Sequence, residues 1–245
     1  MQMILLGILL FAQGYVPPHL PEGPPDIQGI WQVTNTANWD LQDHTGAYKL
    51  PAGFSVVEGG EIPYKPEALA KRKENFAKRL TEDPVEKCYL AGVPRTTYLP
   101  YPFQILQTAD TVVLLSEYVH TWRWIPTKKV DRYEGYDSWM GDSRGHWEGN
   151  TLVVETAGFN DSTWLDHSGN YHSDALKVTE RFTRTSADTM DYEATIDDSK
   201  VFTRPWKIRM PLYRKKDMVR VLEDECYLAA EEAARSASAT ARSPK

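Results

Sequence analysis

Two titratable residues, His120 and Glu180, lie among apolar neighbours in segments that the sequence predicts to be strands. His120 belongs to TVVLLSEYVHTWRW and Glu180 to LKVTERFTR. The apolar residues that alternate with Glu180 are Leu176, Val178 and Phe182. A carboxylate on an apolar strand face must be paired with a cation or have a raised pKa. Candidate cations are Arg144, Arg204 and Arg209. If the pKa of Glu180 is raised instead, His120 and Glu180 would be the acid and base of an isomerase, lyase or cyclase.

An aromatic stripe follows if TVVLLSEYVHTWRW is one strand, because side chains alternate between its faces. The stripe consists of Leu114, Ser116, Tyr118, His120, Trp122 and Trp124. It would line a pocket for a flat or long apolar ligand, with His120 as the polar anchor. Alternatively, it is an external packing face or a protein interface, where Trp and Tyr are common. Trp147, on another predicted strand, belongs to the same ligand-binding or interface set.

The segment NDSTWLDHSGNYHSD gathers the acids and imidazoles that metal sites use. They are Asp161, Asp166, His167, His172 and Asp174. Their spacing matches no metal motif such as His-Glu-x-x-His, and loops hold such residues through local hydrogen bonds. We therefore predict no metal and no cofactor. The sequence also lacks a Gly-rich phosphate loop, a Gly-x-Ser-x-Gly elbow and Cys-x-x-Cys, which argues against nucleotide hydrolysis, elbow-serine acyl transfer and thiol redox chemistry.

A hairpin at Gly149-Asn150 is central to the predicted sheet, since both residues tolerate a positive φ. A two-residue turn there predicts a defined register across the two strands. The predicted pairs are Trp147 with Leu152, His146 with Val153, and Arg144 with Glu155.

Further turns at Ala109-Asp110 and Ala187-Asp188 give three successive hairpins, which are typical of an antiparallel meander. VFTRPWKIRM and MVRVLEDE add two strands around the turn 214–217. We predict a mainly all-β fold, a single domain over 26–228 that closes into a barrel of about eight to ten strands. One or two helices would lie at its periphery.

A helical insertion near 66–80 is predicted to begin at Pro66, where the missing N–H is tolerated. Leu69, Phe76 and Leu80 lie near one face, and basic residues cover the rest. The helix would either lie on an anionic membrane surface or pack against the barrel. Residues 35–65 are predicted to be mainly loop, and 229–245 a helix end and flexible tail.

The N-terminal residues 1–14 carry no charge and are apolar from Met3 to Ala12, which is too short to span a bilayer as a helix, since a span needs about 20 residues. They predict an export signal or a membrane anchor, followed by a proline-rich spacer at 15–25. Cys88 and Cys226 would form one bridge in an oxidising compartment or remain two buried thiols. With 28 basic and 34 acidic residues the net charge is −6, which argues against a nucleic-acid partner.

Two stretches resemble known families. Gly29-x-Trp31 resembles the start of lipocalin and calycin barrels, where the Trp closes one end and an Arg of the last strand packs over it. This resemblance implies a calycin-like barrel with Arg220 in that position. The stretches WMGDSRGHWEGNTLVVET and HSDALKVTERFTR are similar to a large group of exported bacterial β-rich proteins. That resemblance implies export in a bacterium and no particular reaction.

These observations predict an exported barrel, periplasmic and peripheral to or anchored in the inner membrane. It would be an accessory or scaffold subunit that stabilises a membrane protein complex, of respiratory or photosynthetic type for example. The alternatives are a carrier of a small apolar ligand and an enzyme that uses His120 and Glu180. A scaffold needs a filled barrel and an apolar exterior patch, and a carrier needs an open cavity. An enzyme needs both residues to converge on that cavity.

Overall fold

The computed structural model describes residues 15–21, 23–132, 135–224 and 226. The predicted export segment 1–14 and the tail 229–245 lie outside these residues. The first elements are β1 (Gly29–Gln32), the helix α1 (Pro66–Glu82), a 3₁₀ turn (Arg95–Thr97), β2 (Phe103–Gln107), β3 (Thr111–Ser116) and β4 (Trp122–Pro126). The remaining strands are β5 (Asp142–Glu148), β6 (Thr151–Ala157), β7 (Lys177–Arg184), β8 (Thr189–Asp197) and β9 (Trp206–Arg214).

All nine strands belong to one antiparallel sheet in which β1 pairs with both β2 and β9. Every other ladder joins strands that are consecutive in the chain, so the sheet is a meander that curls into a barrel. The barrel is closed except at one seam, where β4 lies beside β5 without a backbone ladder. The predicted all-β meander barrel, with nine strands and one helix among the described residues, is confirmed.

The predicted hairpins are present. At Gly149-Asn150 the register pairs Trp147 with Leu152, His146 with Val153, and Arg144 with Glu155. Gly149 has φ +57°, as the two-residue turn requires. The turns at Ala109-Asp110 and Ala187-Asp188 likewise join β2 to β3 and β7 to β8. Local turn chemistry therefore determined these pairings.

The interior of the barrel is filled with side chains. Inward-facing positions with at most 2% exposure include Ile105, Val112, Ile125, Leu152, Val154, Val178, Phe182, Tyr192, Ala194, Ile196, Ile208 and Leu212. The pocket that reaches the inner face beside Arg123 holds only about 10 Å³, about the space of one water molecule. A lumen open to a ligand does not fit this packing.

One end of the barrel is closed by Trp31, and we call it the Trp31 end. The indole is fully buried and donates from Nε1 to the Ile27 carbonyl at 3.1 Å. The guanidinium carbons of Arg214 and Arg184 lie 6.0 and 5.9 Å from the indole centre. The prediction that Arg220 fills this position is wrong. Arg214 pairs with Trp31 in the sheet, and 215–224 forms no strand.

The other end of the barrel is covered by residues 33–65, α1, 83–102 and 158–176, which we call the cap. The predicted helix near 66–80 is observed, but its packing face differs from the predicted one. Leu69 and Leu80 are 41% and 37% exposed, whereas Ala68 is buried. The helix packs where Asn75 and Phe76 meet Gly169, whose missing side chain permits the close approach.

The run TVVLLSEYVHTWRW is not a single strand. β3 ends at Ser116, and Val119 and His120 have φ of 45° and 52° in a turn before β4. The turn forms because Tyr118 packs inward against Leu99, and its hydroxyl donates to the Val85 carbonyl at 3.0 Å. The predicted stripe is therefore split between the inside and the outside of the barrel.

Residues 215–224 run along the exterior, and Cys226 forms a disulfide with Cys88. Of the alternatives for the two cysteines, the bridge is the one observed. The segment predicted as an extended spacer turns back on itself, with the Leu20 N–H donating to the Pro24 carbonyl at 2.9 Å. Among the described residues, no helix is both long and apolar enough to span a bilayer.

Candidate functional site

Glu180 is fully buried inside the barrel and is paired with Arg123 of β4. Arg123 Nη1 donates to Glu180 Oε1 at 3.0 Å, and Nη2 donates to Oε2. The Tyr192 hydroxyl donates to Oε1 at 2.9 Å. Glu180 is thus held as a carboxylate with donors on both oxygens, which satisfies a buried charge.

The three predicted partners of Glu180 are wrong, since they lie outside the barrel interior. Arg144 donates to Asp142 and to the carbonyls of Val130 and Asp131. Although Arg144 pairs with Glu155 in the strand register, its guanidinium turns to Asp142 instead. Arg204 is exposed, and Arg209 pairs with Asp191 on the outer surface.

His120 and Glu180 are not brought together. His120 is exposed in the turn before β4, while Glu180 is buried among β4, β7 and β8. Burial raises the pKa of Tyr192 well above its usual range, so its hydroxyl remains a donor to Glu180. The acid–base pair required for the isomerase, lyase or cyclase alternative is therefore not assembled in this structure.

Asp166 and His172, two of the polar residues of 160–174, form hydrogen bonds within the cap. Asp166 accepts hydrogen bonds from the Leu41 N–H at 3.0 Å and the Asn170 N–H at 3.1 Å. Burial, together with the negative charge of Asp40, raises the pKa of Asp166 to about 7. His172 accepts from Thr163 and donates to the Ser173 carbonyl, and burial lowers its pKa.

Two further residues of the predicted metal set lie at the surface: Asp174 pairs with Lys200, and Asp161 is exposed. Within residues 15–132, 135–224 and 226, leaving out residue 22, no three His, Cys, Asp or Glu side chains are grouped to hold a metal ion.

A buried ion pair in the cap was not anticipated from the sequence. Arg95 donates to both oxygens of Asp83 at 2.7 and 2.8 Å, and His167 Nδ1 lies 2.8 Å from Asp83 Oδ2. Burial alone would raise the pKa of Asp83, but the charge of Arg95 and the hydrogen bonds from His167 and Arg95 lower it to about 2. The proline that follows Asp83 gave the only local hint that the helix ends there.

The predicted ligand-binding or interface residues are separated by the turn at 117–121. Tyr118 is buried, and Trp147 is half-buried against the core on the inward side of β5. Trp122 and Trp124 point outward and are 65% and 44% exposed. The two tryptophans and His120 are the part of the set that is presented to solvent.

Around these tryptophans lies an uncharged surface that we call the tryptophan face. Trp124 pairs with Val113, and Val113 pairs in turn with Leu106, which is 42% exposed; Trp122 pairs with Leu115. The outward positions of β2, β3 and β4 are Gln104, Leu106, Thr111, Val113, Leu115, Trp122, Trp124 and Pro126. None of them is charged. The one charged residue of these strands, Arg123, points inward.

The opposite side of the barrel is charged. Outward residues of β7, β8 and β9 form ion pairs across the strands, including Lys207 with Glu193 at 2.8 Å and Arg209 with Asp191 at 2.7 Å. The barrel therefore has one charged side and one uncharged, aromatic side. The two exposed tryptophans therefore lie on the uncharged side, opposite the ion pairs of β8 and β9.

Comparisons with known proteins add little to this description. No family model matches the chain, and no curated protein matches it. A crystal structure of a mutant of the fluorescent protein UnaG is similar in structure, with a TM-score of 0.35 and 11% sequence identity. The similarity covers 78% of this chain and 96% of that chain. At this level it carries no argument, and the barrel assignment rests on the strand pairing.

Proposed function

We propose that this chain is an exported accessory subunit that binds a membrane protein complex through the tryptophan face. The observation that carries the proposal is the exposure of Trp122 and Trp124 on an uncharged face of a filled barrel. Inside the barrel, the pocket beside Arg123 holds only about 10 Å³, and on the outside the two tryptophans form a surface that a partner could cover.

The interior of the barrel argues against the alternatives that need a lumen. A carrier would need a cavity of roughly 300 Å³ or more, and the void beside Arg123 holds about 10 Å³. The Arg123–Glu180 pair satisfies the one carboxylate that the enzyme hypothesis required.

The chemistry of the tryptophan face favours a protein partner. Tryptophan is enriched among the residues that contribute most to binding, and such anchors lie amid apolar contacts that exclude water. Val113 and Leu115 are half-buried beside the two indoles and would supply those contacts. Burial of this patch against a partner would also remove its apolar area from water.

Two features support export and attachment to a membrane. The Cys88–Cys226 disulfide favours an oxidising compartment. The apolar sequence 1–14 precedes Tyr15, whose ring lies 5.9 Å from the Arg184 guanidinium at the Trp31 end. An anchor formed by that sequence would hold the Trp31 end toward the membrane and leave the side of the barrel free to contact a membrane protein.

The test compares two variants of the full chain in the cell that expresses it. Trp122→Ser/Trp124→Ser removes both anchors, and Tyr213→Ser removes an aromatic residue that is 41% exposed on the charged side. Membranes are solubilised in mild detergent, and the migration of the chain is followed by native gel electrophoresis. Thermal unfolding of each purified variant verifies that the barrel is intact.

We expect the natural chain and Tyr213→Ser to migrate with a large complex, and the double tryptophan variant to migrate as a free monomer. Migration of the natural chain as a free monomer would overturn the accessory role. Retention of the folded double variant in the complex would overturn the role of the tryptophan face.

A further inference from the structure

We infer that a cleft of about 490 Å³ at the Trp31 end binds the phosphate group of an anionic phospholipid. The cleft lies where the turn between β7 and β8 and the segment that follows β9 meet β1. The inference rests on the proposed function in one respect, namely that the Trp31 end is held toward a membrane. It goes further in naming the class of lipid and the residues that bind it.

Positive charge is concentrated on the lining of this cleft. Three consecutive cations, Arg214, Lys215 and Lys216, line it, and Asp188 is the one acid among its lining residues. Lys216 pairs with Asp188 at 2.6 Å, and Lys215 lies 3.6 Å from the exposed Asp217. Three cations and one acid give the lining a formal charge of +2, in a chain whose net charge is −6. Such a local excess of positive charge attracts an anion.

Arg214 is the cation of the lining whose charge is best presented. Its guanidinium lies above the Trp31 ring, and a Cβ on Gly29 would lie 3.2 Å from its Nε, so the side chain runs along the bare backbone of β1. Within the part of the chain that the structure describes, no carboxylate pairs with Arg214. Its exposed N–H donors are therefore available to an anion, and the planar guanidinium matches two phosphate oxygens.

A second guanidinium, that of Arg184, adds positive potential beside the cleft. Arg184 is only 5% exposed, and it donates to the backbone carbonyls of Asp26 and Ala187 at 2.9 and 2.8 Å. The Asp26 carboxylate accepts from the Gln28 N–H instead, and no carboxylate of the described residues pairs with Arg184. Ala187 also lines the cleft. A buried cation with only neutral acceptors is stabilised by a nearby anion, which it attracts through space without a contact.

Apolar residues next to these cations favour a lipid as the source of the phosphate. Val219, which lines the cleft, is 95% exposed, and Met218 and Ile30 are also part of the lining. The apolar sequence 1–14 ends directly before Tyr15, whose ring lies 5.9 Å from Arg184 at this same end. Basic residues beside exposed apolar ones are typical of surfaces that lie on anionic membranes. A soluble phosphate ester would leave the apolar residues in water.

Binding of the purified full chain to vesicles tests the inference. Flotation is compared between vesicles of phosphatidylcholine alone and vesicles that also contain phosphatidylglycerol. Residues 1–14 carry no charge, so their contribution is the same for both vesicles. A chain of net charge −6 is repelled as a whole by the anionic vesicles, so tighter binding to them requires a local cationic site.

A matched pair of variants removes two positive charges from either end of the molecule. Arg214→Gln/Lys215→Gln removes them from the cleft, and Lys73→Gln/Lys78→Gln removes them from exposed positions of α1. Thermal unfolding of each variant verifies that the barrel is intact.

A second matched pair leaves the contact between Arg214 and Trp31 in place. Ala187→Glu adds an acid to the cleft lining, and Ala70→Glu adds one at an exposed position of α1. This pair decides the question if the first cleft variant fails to fold.

We expect phosphatidylglycerol to tighten binding of the natural chain by about tenfold or more, and high salt to remove this gain. Arg214→Gln/Lys215→Gln should bind the anionic vesicles about 10- to 30-fold more weakly than the natural chain and the phosphatidylcholine vesicles equally well. Ala187→Glu should also lose the gain. The two α1 variants and Trp122→Ser/Trp124→Ser should keep it.

No gain from phosphatidylglycerol would overturn the inference, as would a gain that survives in the folded cleft variants or is lost equally in the α1 variants. Calorimetric titration with sn-glycerol 3-phosphate separates the two sources of phosphate. Tight binding of this ester without a gain on the vesicles would assign the cleft to a soluble phosphate ester and overturn the lipid assignment. None of these measurements involves the membrane complex, so failure of this inference can be told from failure of the proposed function.

Discussion

At the residue scale, the Arg123 side chain joins strands across the seam by hydrogen bonds, as backbone hydrogen bonds join neighbouring strands elsewhere in the barrel. Its Nε donates to Ser143 of β5 at 2.8 Å, and Nη2 donates to Thr156 of β6 at 2.6 Å and to Glu180 of β7. One guanidinium thus links β4 to the three strands on the far side of the seam. The guanidinium thus supplies hydrogen bonds across a seam that has no backbone ladder.

We predict that Arg123→Leu and Glu180→Leu each lower the free energy of unfolding by about 3–5 kcal/mol, because each leaves an uncompensated buried charge. The double variant should lose less than the sum of the two, since it removes both charges together. Urea unfolding monitored by tryptophan fluorescence measures all three values.

The exposed pair Arg209 with Asp191 is the matched control for this prediction. Arg209→Leu should change stability by only about 0–1 kcal/mol, because solvent screens surface ion pairs. A loss below about 1 kcal/mol in Glu180→Leu would show that Arg123 does not depend on this carboxylate. Strictly additive losses would show that the two residues act independently.

At the element scale, the features that could be predicted from the sequence are those that residues close together in the chain determine. Gly149-Asn150 specified both a turn and a register, and the alternation in LKVTERFTR correctly placed Glu180 inside. The break between β3 and β4 was missed because its cause is distant in the chain: Tyr118 is drawn inward by Val85 and Leu99.

The partner of Glu180 was missed for a similar reason, since Arg123 lies 57 residues away. A usable signal was present nonetheless. Arg123 stands between Trp122 and Trp124, so if the tryptophans face outward, the arginine must face inward. The sequence could not show which face of β4 was buried, because a pattern of two aromatics around one cation is compatible with both.

The contact between α1 and the segment 158–176 of the cap depends on a single glycine. Gly169 has φ +82°, and a Cβ there would lie 2.6 Å from the Phe76 nitrogen and 2.7 Å from the Asn75 Cβ. Both neighbours belong to a regular helix, so neither can move without displacing the helix from the barrel.

We predict that Gly169→Ala destabilises the protein by about 1–3 kcal/mol more than Gly149→Ala does. Gly149 also has a positive φ, +57°, but a Cβ there meets nothing within 4 Å. Both substitutions therefore carry the backbone strain of a left-handed residue, about 1 kcal/mol, and only Gly169→Ala carries the clash. Chemical unfolding of the two variants gives the difference, and equal losses would show that α1 yields without penalty.

At the scale of the whole molecule, the described residues form two separate hydrophobic clusters. The nine strands share one continuous core, whereas a smaller cluster of Ala91, Leu99 and Tyr118 lies beside it under the Cys88–Cys226 bridge. The segment 215–224 that leads to Cys226 is held at separate points: the Leu222 N–H donates to Glu117 at 2.9 Å, Lys216 pairs with Asp188 at 2.6 Å, and Asp224 forms a bridge to Tyr118, while Val219 is 95% exposed. The disulfide therefore fastens an exterior segment onto a barrel that is already closed.

We predict that Cys88→Ser/Cys226→Ser lowers the free energy of unfolding by about 2–5 kcal/mol, since the bridge spans a sequence separation of 138 residues. In the native state, however, the loss of protection should be local. Amide hydrogen exchange measured by mass spectrometry should lose its protection in 83–91, 117–121 and 215–224, whereas β6 to β9 should stay protected up to the lowered free energy of global unfolding. An equal loss of protection throughout β6 to β9 would mean that the exterior segment and the barrel form one cooperative unit. No change in 215–224 would mean that this segment is held by contacts other than the disulfide.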